Sequence, residues 1–506
     1  MKGLFLKTQI YLVFCLLIGA SRSHGTEKAA LETKLSATIE IVVKDTAILN
    51  EGEMEIKLYQ NGINTTFTLQ TKLITIKLNK PTTKIVIPLS TSINYGTIDL
   101  TYKNQSKIYE KRLFYVSNNT FIFENGDHIE VMLDQNKVQF SGKGSEKFNC
   151  LYEASKHQDI QQSQFKQIGK YRREKKYSEF FAYSKQVQDS LYNLKGQIVD
   201  KYAKSISRAV SDLIRTDIWA IYNSKIIETM FGNTTRFGTR YGEDHMNAVE
   251  TAYQDYLENY QSDLFPDQIL LESLRYCDAL YWREYYAEQV LNRKNTVDPF
   301  TFRTGMIDKS YNGAIREKVH YLNSLARGKI SEKMLDTYQE KKNTVINSKY
   351  QLAMRDLIKA NTGKAFPFEL KDSKGITRKL TDFRNKLIVM DFWYTGCINC
   401  VEQAKVLLPI IEGYKNNDKI VFVSISIDGS KNKQIWLKSI EKGIYTGKDE
   451  INLIAEGKND ELIKHYNIQG YPKLILISAE GNVITTNPPD PREEPLEFKA
   501  LIDANI

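Results

Sequence analysis

The stretch Lys386-Leu-Ile-Val-Met-Asp-Phe392, continued by Trp393-Tyr-Thr-Gly-Cys397-Ile-Asn-Cys400, decides how the last third of this chain is read. KLIVMDF reads as a buried strand, and the residues from Cys397 onward as a helix. Two cysteines three apart, where a strand hands over to a helix, are placed for thiol–disulfide exchange. The first sits at a helix N-terminus, where unpaired backbone N–H groups and the positive dipole end stabilise a thiolate. The second lies one turn on, close enough to attack a mixed disulfide. Zinc sites also use paired cysteines, but they need two further ligands. No second CxxC or HxxxH pair occurs, and His465 is the nearest lone histidine, so no metal is expected.

Around this segment the chain alternates strands and helices. GKAFPFELKDSKGITRKLTDF (363–383) reads as a short hairpin, IVFVSISID (420–428) as a strand, 430–440 as a helix, and KLILIS (473–478) and VITT (483–486) as strands. Pro488, Pro489, Pro491 and Pro495 mark a loop before a last helix. This is an α/β signature, and 362–506 is expected to be one domain.

Upstream the period differs. From Ser145 to about Asn361 apolar residues recur at three- and four-residue steps. Val187, Leu191, Leu194, Ile198, Tyr202, Ile206, Val210 and Leu213 place one stripe on a long helix. Further helices are expected around 247–261, 267–292 and 313–360. The aromatic residues Trp219, Tyr222, Tyr281, Trp282, Tyr285 and Tyr286 are expected in the core, and KYRREKK (170–176) on a solvated face or helix end. Residues 143–361 are therefore expected to form an all-α region. Before it, in a domain spanning 24–142, runs such as ATIEIVV (37–43), MEIKLY (54–59) and HIEVML (128–133) alternate with a period near two. NG, NYG and ENG turns separate them, which implies an antiparallel β-rich, sandwich-like domain.

Residues 1–23 carry Lys2 and Lys7, the apolar run Ile10 to Ala20, and small residues beyond it: the pattern of a cleaved secretory signal. The run is too short to span a bilayer, and Phe14 before Cys15 argues against lipidation. A chain of 506 residues with 42% hydrophobic and 26% charged residues, only 27 glycines and 11 prolines, is globular, multi-domain material. The net charge of +9 includes Lys2, Lys7 and Arg22 of the leader, and the rest is spread thinly, which excludes a nucleic-acid-binding stripe. Five cysteines exclude a disulfide-stapled scaffold. Cys150 and Cys277 could pair, but are expected to be buried helix residues acting as small hydrophobes.

The F-P-F-E-L entry, the strand-D-F-W-x-x-x-C-x-x-C core, and Gly470-Tyr471-Pro472 ahead of a strand together resemble the thioredoxin fold, closest to the TlpA/ResA-like thiol–disulfide oxidoreductases. The resemblance covers under a third of the chain. It implies a cis Pro472 packed against the CxxC, with Tyr471 offering its backbone to substrate. Asp391, six residues before Cys397, matches the buried acid of thioredoxins, which takes the proton from Cys400; the alternative is a structural acid at a strand end. Trp393 is expected to pack beside the site.

Some positions depart from the family pattern. Ile398-Asn399 contains no proline, and Gly396 stands where many relatives have tryptophan, so a more open rim around Cys397 is expected. Gln403 stands where ResA-like proteins carry glutamate, and Pro409 comes late. The whole arrangement, including the junction FSGKGSEKFNCLYEA (140–154), is similar to large exported TlpA-like proteins.

The function this implies is a periplasmic disulfide reductase with no cofactor beyond its own Cys397–Cys400 pair. By resemblance its electrons come from a DsbD/CcdA-type membrane donor, and its substrates are exported disulfide-bearing proteins such as cytochrome c apoproteins. An oxidase or isomerase would use the same parts. A partner-binding protein with the domain as scaffold is the alternative from another class. A peroxiredoxin pattern fails at Met390 and Tyr394, and copper chaperones of the SCO type want C-x-x-x-C.

Overall fold

The computed structural model describes residues 35–506 apart from 46–47, 50–51, 60–62, 64, 68–70, 105–106, 112–119, 135–136, 158–159, 261–264, 294–296, 328–347, 448–449 and 469. The expected signal segment, 1–23, lies outside the described residues.

The first region holds β1 (Ser36–Val43), β2 (Gly52–Tyr59), β3 (Thr71–Lys77), β4 (Thr82–Pro88), β5 (Ile93–Asn104), β6 (Lys107–Lys111), β7 (Thr120–Glu124), β8 (His128–Asp134) and β9 (Lys137–Lys143). They form two sheets, one ordered β4-β1-β8-β9 and the other β3-β2-β5-β6 with β7 also on β5. Alternation puts Ile39 and Ile41 of β1, Ile56 and Leu58 of β2, and Val131 of β8 into one shared core. The strands were expected to be antiparallel throughout, yet β1 and β8 run parallel, from Thr38 beside His128 to Val43 beside Leu133. Alternation fixes which face is buried and says nothing of direction. The long excursion from β1 through the other sheet lets β8 return alongside it in the same sense.

Ten helices follow among the described residues. They are α1 (Ser145–Ser155), α2 (Gln162–Arg173), α3 (Tyr177–Tyr202), α4 (Arg208–Ile227), α5 (Asn233–Glu258), α6 (Asp267–Glu272), α7 (Tyr276–Leu291), α8 (Pro299–Ser310), α9 (Gly313–Arg327) and α10 (Ser348–Thr362). The stripe from Val187 to Leu213 belongs to two helices rather than one. Ser207 ends the break between α3 and α4: its hydroxyl accepts from Val210 N at 3.3 Å and donates to Glu124 of β7 at 3.2 Å. The stripe survives because both helices bury their apolar side in one core with Tyr95 and Ile122 of the β region. The stretch 267–292 also divides, at Ser273, whose hydroxyl accepts from Tyr276 N at 3.0 Å.

Trp219 and Tyr281 are buried, and Tyr222, Trp282, Tyr285 and Tyr286 pack half-buried against the same cores. KYRREKK falls at the end of α2. Cys150 and Cys277 are both buried and unpaired. Burial pushes their thiols up, to about 12 and about 11, which makes them inert.

The last region holds β10 (Glu369–Asp372), β11 (Thr377–Lys379), β12 (Leu387–Trp393), α11 (Ile398–Gly413), β13 (Ile420–Ser426), α12 (Lys433–Lys442), β14 (Ile451–Ile454), α13 (Glu461–His465), β15 (Lys473–Ile477), β16 (Val483–Thr485) and α14 (Pro495–Asp503). Its sheet is ordered β11-β10-β14-β13-β12-β15-β16. Every residue of central β12 is buried. Leu387 and Val389 face Leu407 and Ile411 of α11, while Ile388, Met390 and Phe392 fill the core on the opposite side. Strands β12, β13 and β14 are parallel and β15 is antiparallel to β12. Among the described residues no helix is long and apolar enough to cross a membrane.

Candidate functional site

Cys397 is the N-cap of α11, reached by the turn that follows β12. It is bonded to Cys400, with the two Cα atoms 5.2 Å apart. Cys397 Sγ accepts from Cys400 N at 3.1 Å. The same N–H and the helix dipole would hold a thiolate at Cys397 once the bond is reduced.

The turn before Cys397 is fixed by polar contacts. Asp428, just past β13, accepts from Thr395 N at 3.0 Å and from its hydroxyl at 2.7 Å, and from Ser426 at 2.8 Å. Gly396 takes φ +96°, a left-handed conformation suited to glycine, and its N–H donates to the Tyr445 hydroxyl at 2.9 Å. The Tyr445 ring stacks on Trp393 with centroids 4.7 Å apart. Trp393 packs beside the site as expected and its indole N–H donates to Ser424 Oγ at 2.7 Å.

The space beside Gly396 is open, since a side-chain carbon added there would meet nothing within 4 Å. Cys397 itself is only 3% exposed, in one buried cluster with Cys400, Trp393, Trp436 and Tyr445. What faces solvent is the margin: Ile398 at 78% and Tyr394 at 40%. The Tyr394 ring meets Tyr471 edge-on at 5.6 Å. The peptide bond between Tyr471 and Pro472 is cis.

Asp391 lies buried in β12 on the α11 side of the sheet. Gln403, one turn after Cys400, donates from Nε2 to Asp391 Oδ1 at 2.9 Å. That bond fixes the carboxyl below the helix that carries both cysteines. Burial holds Asp391 well above the usual carboxylate range, a nearby Glu450 raises it further, and Gln403 opposes them weakly.

Several contributors were not foreseen. Asp428, Tyr445, Ser424 and Glu450 carry no short motif. The strand Ile451–Ile454 that would have placed Glu450 is four residues long and was not assigned. His465, the lone histidine weighed for zinc, packs against Phe366 and Tyr466. Among the described residues no group of three or more His, Cys, Asp or Glu stands where it could hold one metal ion.

Comparison with known proteins agrees with this geometry. Residues 385–483 match the family described as Thioredoxin-like. The thiol-disulfide oxidoreductase ResA of Bacillus thuringiensis subsp. konkukian is 28% identical over 140 residues, which is 28% of this chain and 76% of that protein. ResA of Geobacillus kaustophilus is 24% identical over 116 residues, 23% of this chain and 62% of that one. Among solved structures, the thioredoxin domain of a thiol-disulfide oxidoreductase from Bacteroides vulgatus is 23% identical, with 29% of this chain and 98% of that chain covered and a TM-score of 0.25. A thiol-disulfide oxidoreductase from Bacteroides fragilis is 24% identical, covering 27% and 98%, with a TM-score of 0.24. The C-terminal region is a TlpA/ResA-like thioredoxin-fold domain, and its chemistry is that of a thiol–disulfide oxidoreductase.

Proposed function

We propose that the chain is an exported, periplasmic thiol–disulfide oxidoreductase that reduces disulfides in other exported proteins through Cys397 and Cys400. The observation that carries this is the Cys397–Cys400 bond at the head of α11, above the buried Asp391. The similarity to ResA proteins supports the chemistry. The leader-like residues 1–23 support export, and with it the periplasm.

In the reduced enzyme the Cys397 thiolate attacks a substrate disulfide and forms a mixed disulfide, expelling one substrate thiolate. Cys400 gives its proton to the ionised Asp391, and its thiolate attacks Cys397 Sγ. The Cys397–Cys400 bond re-forms and the second substrate thiolate leaves. Two electrons pass to the substrate, and the two leaving thiolates take up two protons. The cysteine pair is itself the redox group, so no separate cofactor enters. Tyr471 and Pro472 offer an extended backbone edge for the substrate segment around its disulfide. A membrane thiol donor of the DsbD/CcdA type restores the dithiol, and cytochrome c apoproteins are among the substrates this reading admits.

The test is reduction of a protein disulfide by the full chain with dithiothreitol as electron source. Cys397→Ser is expected to abolish turnover. Cys400→Ser is expected to accumulate a covalent complex with substrate that reductant dissolves. Turnover that survives Cys397→Ser would leave the domain as a scaffold.

A further inference from the structure

The Asp391 face of the sheet carries a second buried acid. Asp391 pairs in register with Ser424 of β13, and Ser424 with Asn452 of β14, so the three side chains form one polar row across adjacent strands. Glu450 precedes Asn452 by two residues and shares its face. It is as buried as the row itself, at 7% exposed, against 5% for Asp391 and 8% for Asn452. Its Oε2 accepts from Gly447 N at 2.6 Å and from the Thr446 hydroxyl at 2.9 Å. Tyr445, the neighbour of Thr446, is the ring that stacks on Trp393 and holds Gly396, so the loop that seats Glu450 also seats the turn before Cys397. Asn452 Oδ1 is buried in this row with no donor, although its Nδ2 is engaged.

A buried carboxyl is costly unless it is neutral or well solvated by donors. Glu450 has two donors and Asp391 one, and two buried acids on one face of the sheet raise that cost. Like charges in a site of low dielectric act on each other strongly. The groups that shift Glu450 are burial, the Gly447 N–H and the Thr446 hydroxyl; those that shift Asp391 are burial, Glu450 and the Gln403 amide. Among the described residues no lysine, arginine or histidine is one of them.

We propose that Glu450 is a second functional acid of this site, a positioning residue that acts through Asp391 and sets how readily Asp391 exchanges its proton with Cys400. This rests on the oxidoreductase reading above and adds to it the control of the proton step. When Glu450 is ionised its charge opposes ionisation of Asp391, which makes Asp391 the stronger base toward Cys400. Neutralising Glu450 makes Asp391 a weaker base that ionises at lower pH.

The decisive measurement needs no turnover. In the oxidised full-length chain, the pH at which Asp391 ionises is followed by the infrared C=O stretch of its protonated carboxyl, identified as the band lost in Asp391→Asn. In Glu450→Gln the midpoint is expected to fall by about one unit. The acid limb of the turnover pH profile is expected to move the same way. That limb shift should vanish when Glu450→Gln is combined with Asp391→Asn. Thr446→Val keeps the carboxyl and removes one of its donors, so it serves if Glu450→Gln does not fold; it should move the midpoint in the same direction by less. A midpoint unmoved by either variant overturns the proposal while leaving the oxidoreductase reading intact. A midpoint that moves in a wild-type background that shows no exchange at any pH overturns that reading instead.

Discussion

Three hydrogen bonds reach the two buried carboxyls, one from Gln403 to Asp391 and two from Thr446 and Gly447 to Glu450. Both carboxyls are raised, Glu450 from 4.5 to about 7 by burial. A group whose folded value lies above its unfolded one contributes stability that is complete below the unfolded value and is lost as pH rises through the folded one. The oxidised wild type should therefore lose about 3 kcal/mol through Glu450 between roughly pH 4.5 and 7. Glu450→Gln should lack that part of the slope. Urea unfolding of both chains at pH 4.5 and 7.5 checks it, and parallel pH dependences would contradict the assignment. At this scale the sequence was uneven in what it revealed. Cys397, Cys400 and Asp391 lie within ten residues and carry a spacing. Glu450 lies fifty residues on, and its partnership with Asp391 exists only through the register of three strands.

Elements were legible where one period ran long enough to dominate. Strands β1, β2, β8, β12 and β13 alternate or run apolar over seven or eight residues, and each stands within two residues of its expected place. The boundary between α3 and α4 was hidden because the apolar spacing continues across it. What breaks the helix is the cap at Ser207, a single hydroxyl whose effect a periodicity cannot register. Ser207→Ala should cost about 1 kcal/mol, since it removes the donor's acceptor at Val210 and the bond to Glu124. Ser207→Asp should restore most of the cap but not the Glu124 contact, which would become a like-charge pair. Urea midpoints of the three proteins separate the two contributions. Equal stability of all three would show that the break is set by packing alone. The hand of pairing between β1 and β8 was illegible for a related reason, since alternation carries no direction.

Across the whole molecule, the three regions meet at one turn. Asp278 of α7 accepts from the Thr65 hydroxyl at 2.6 Å, from Thr66 N at 2.8 Å and from the Thr66 hydroxyl at 2.5 Å. Phe67 then packs against Tyr281 and Trp282, with centroids 5.1 and 5.8 Å away. The Phe67 carbonyl accepts from Asn467 Nδ2 of the C-terminal domain at 3.3 Å. A buried carboxylate in the helical region thus anchors a β-region turn that touches the domain carrying the cysteines. Asp278→Ala strands a buried hydroxyl at Thr65 and should cost about 2–3 kcal/mol. Hydrogen exchange should rise at Thr66 and Phe67 first. Unchanged exchange there would mean that the turn is held by its aromatic packing. Nothing in the sequence around Thr65 or Asp278 announced this contact, because the two lie more than two hundred residues apart and neither sits in a motif.

The most direct test of the whole account is the midpoint potential of the Cys397–Cys400 couple in the full chain, obtained by equilibration with dithiothreitol or glutathione and counting of free thiols. The account predicts a reversible two-electron couple near thioredoxin's about −270 mV, with Cys150 and Cys277 remaining outside it. A potential near DsbA's about −120 mV would contradict the reductase direction, and a pair that never cycles would contradict the redox function itself.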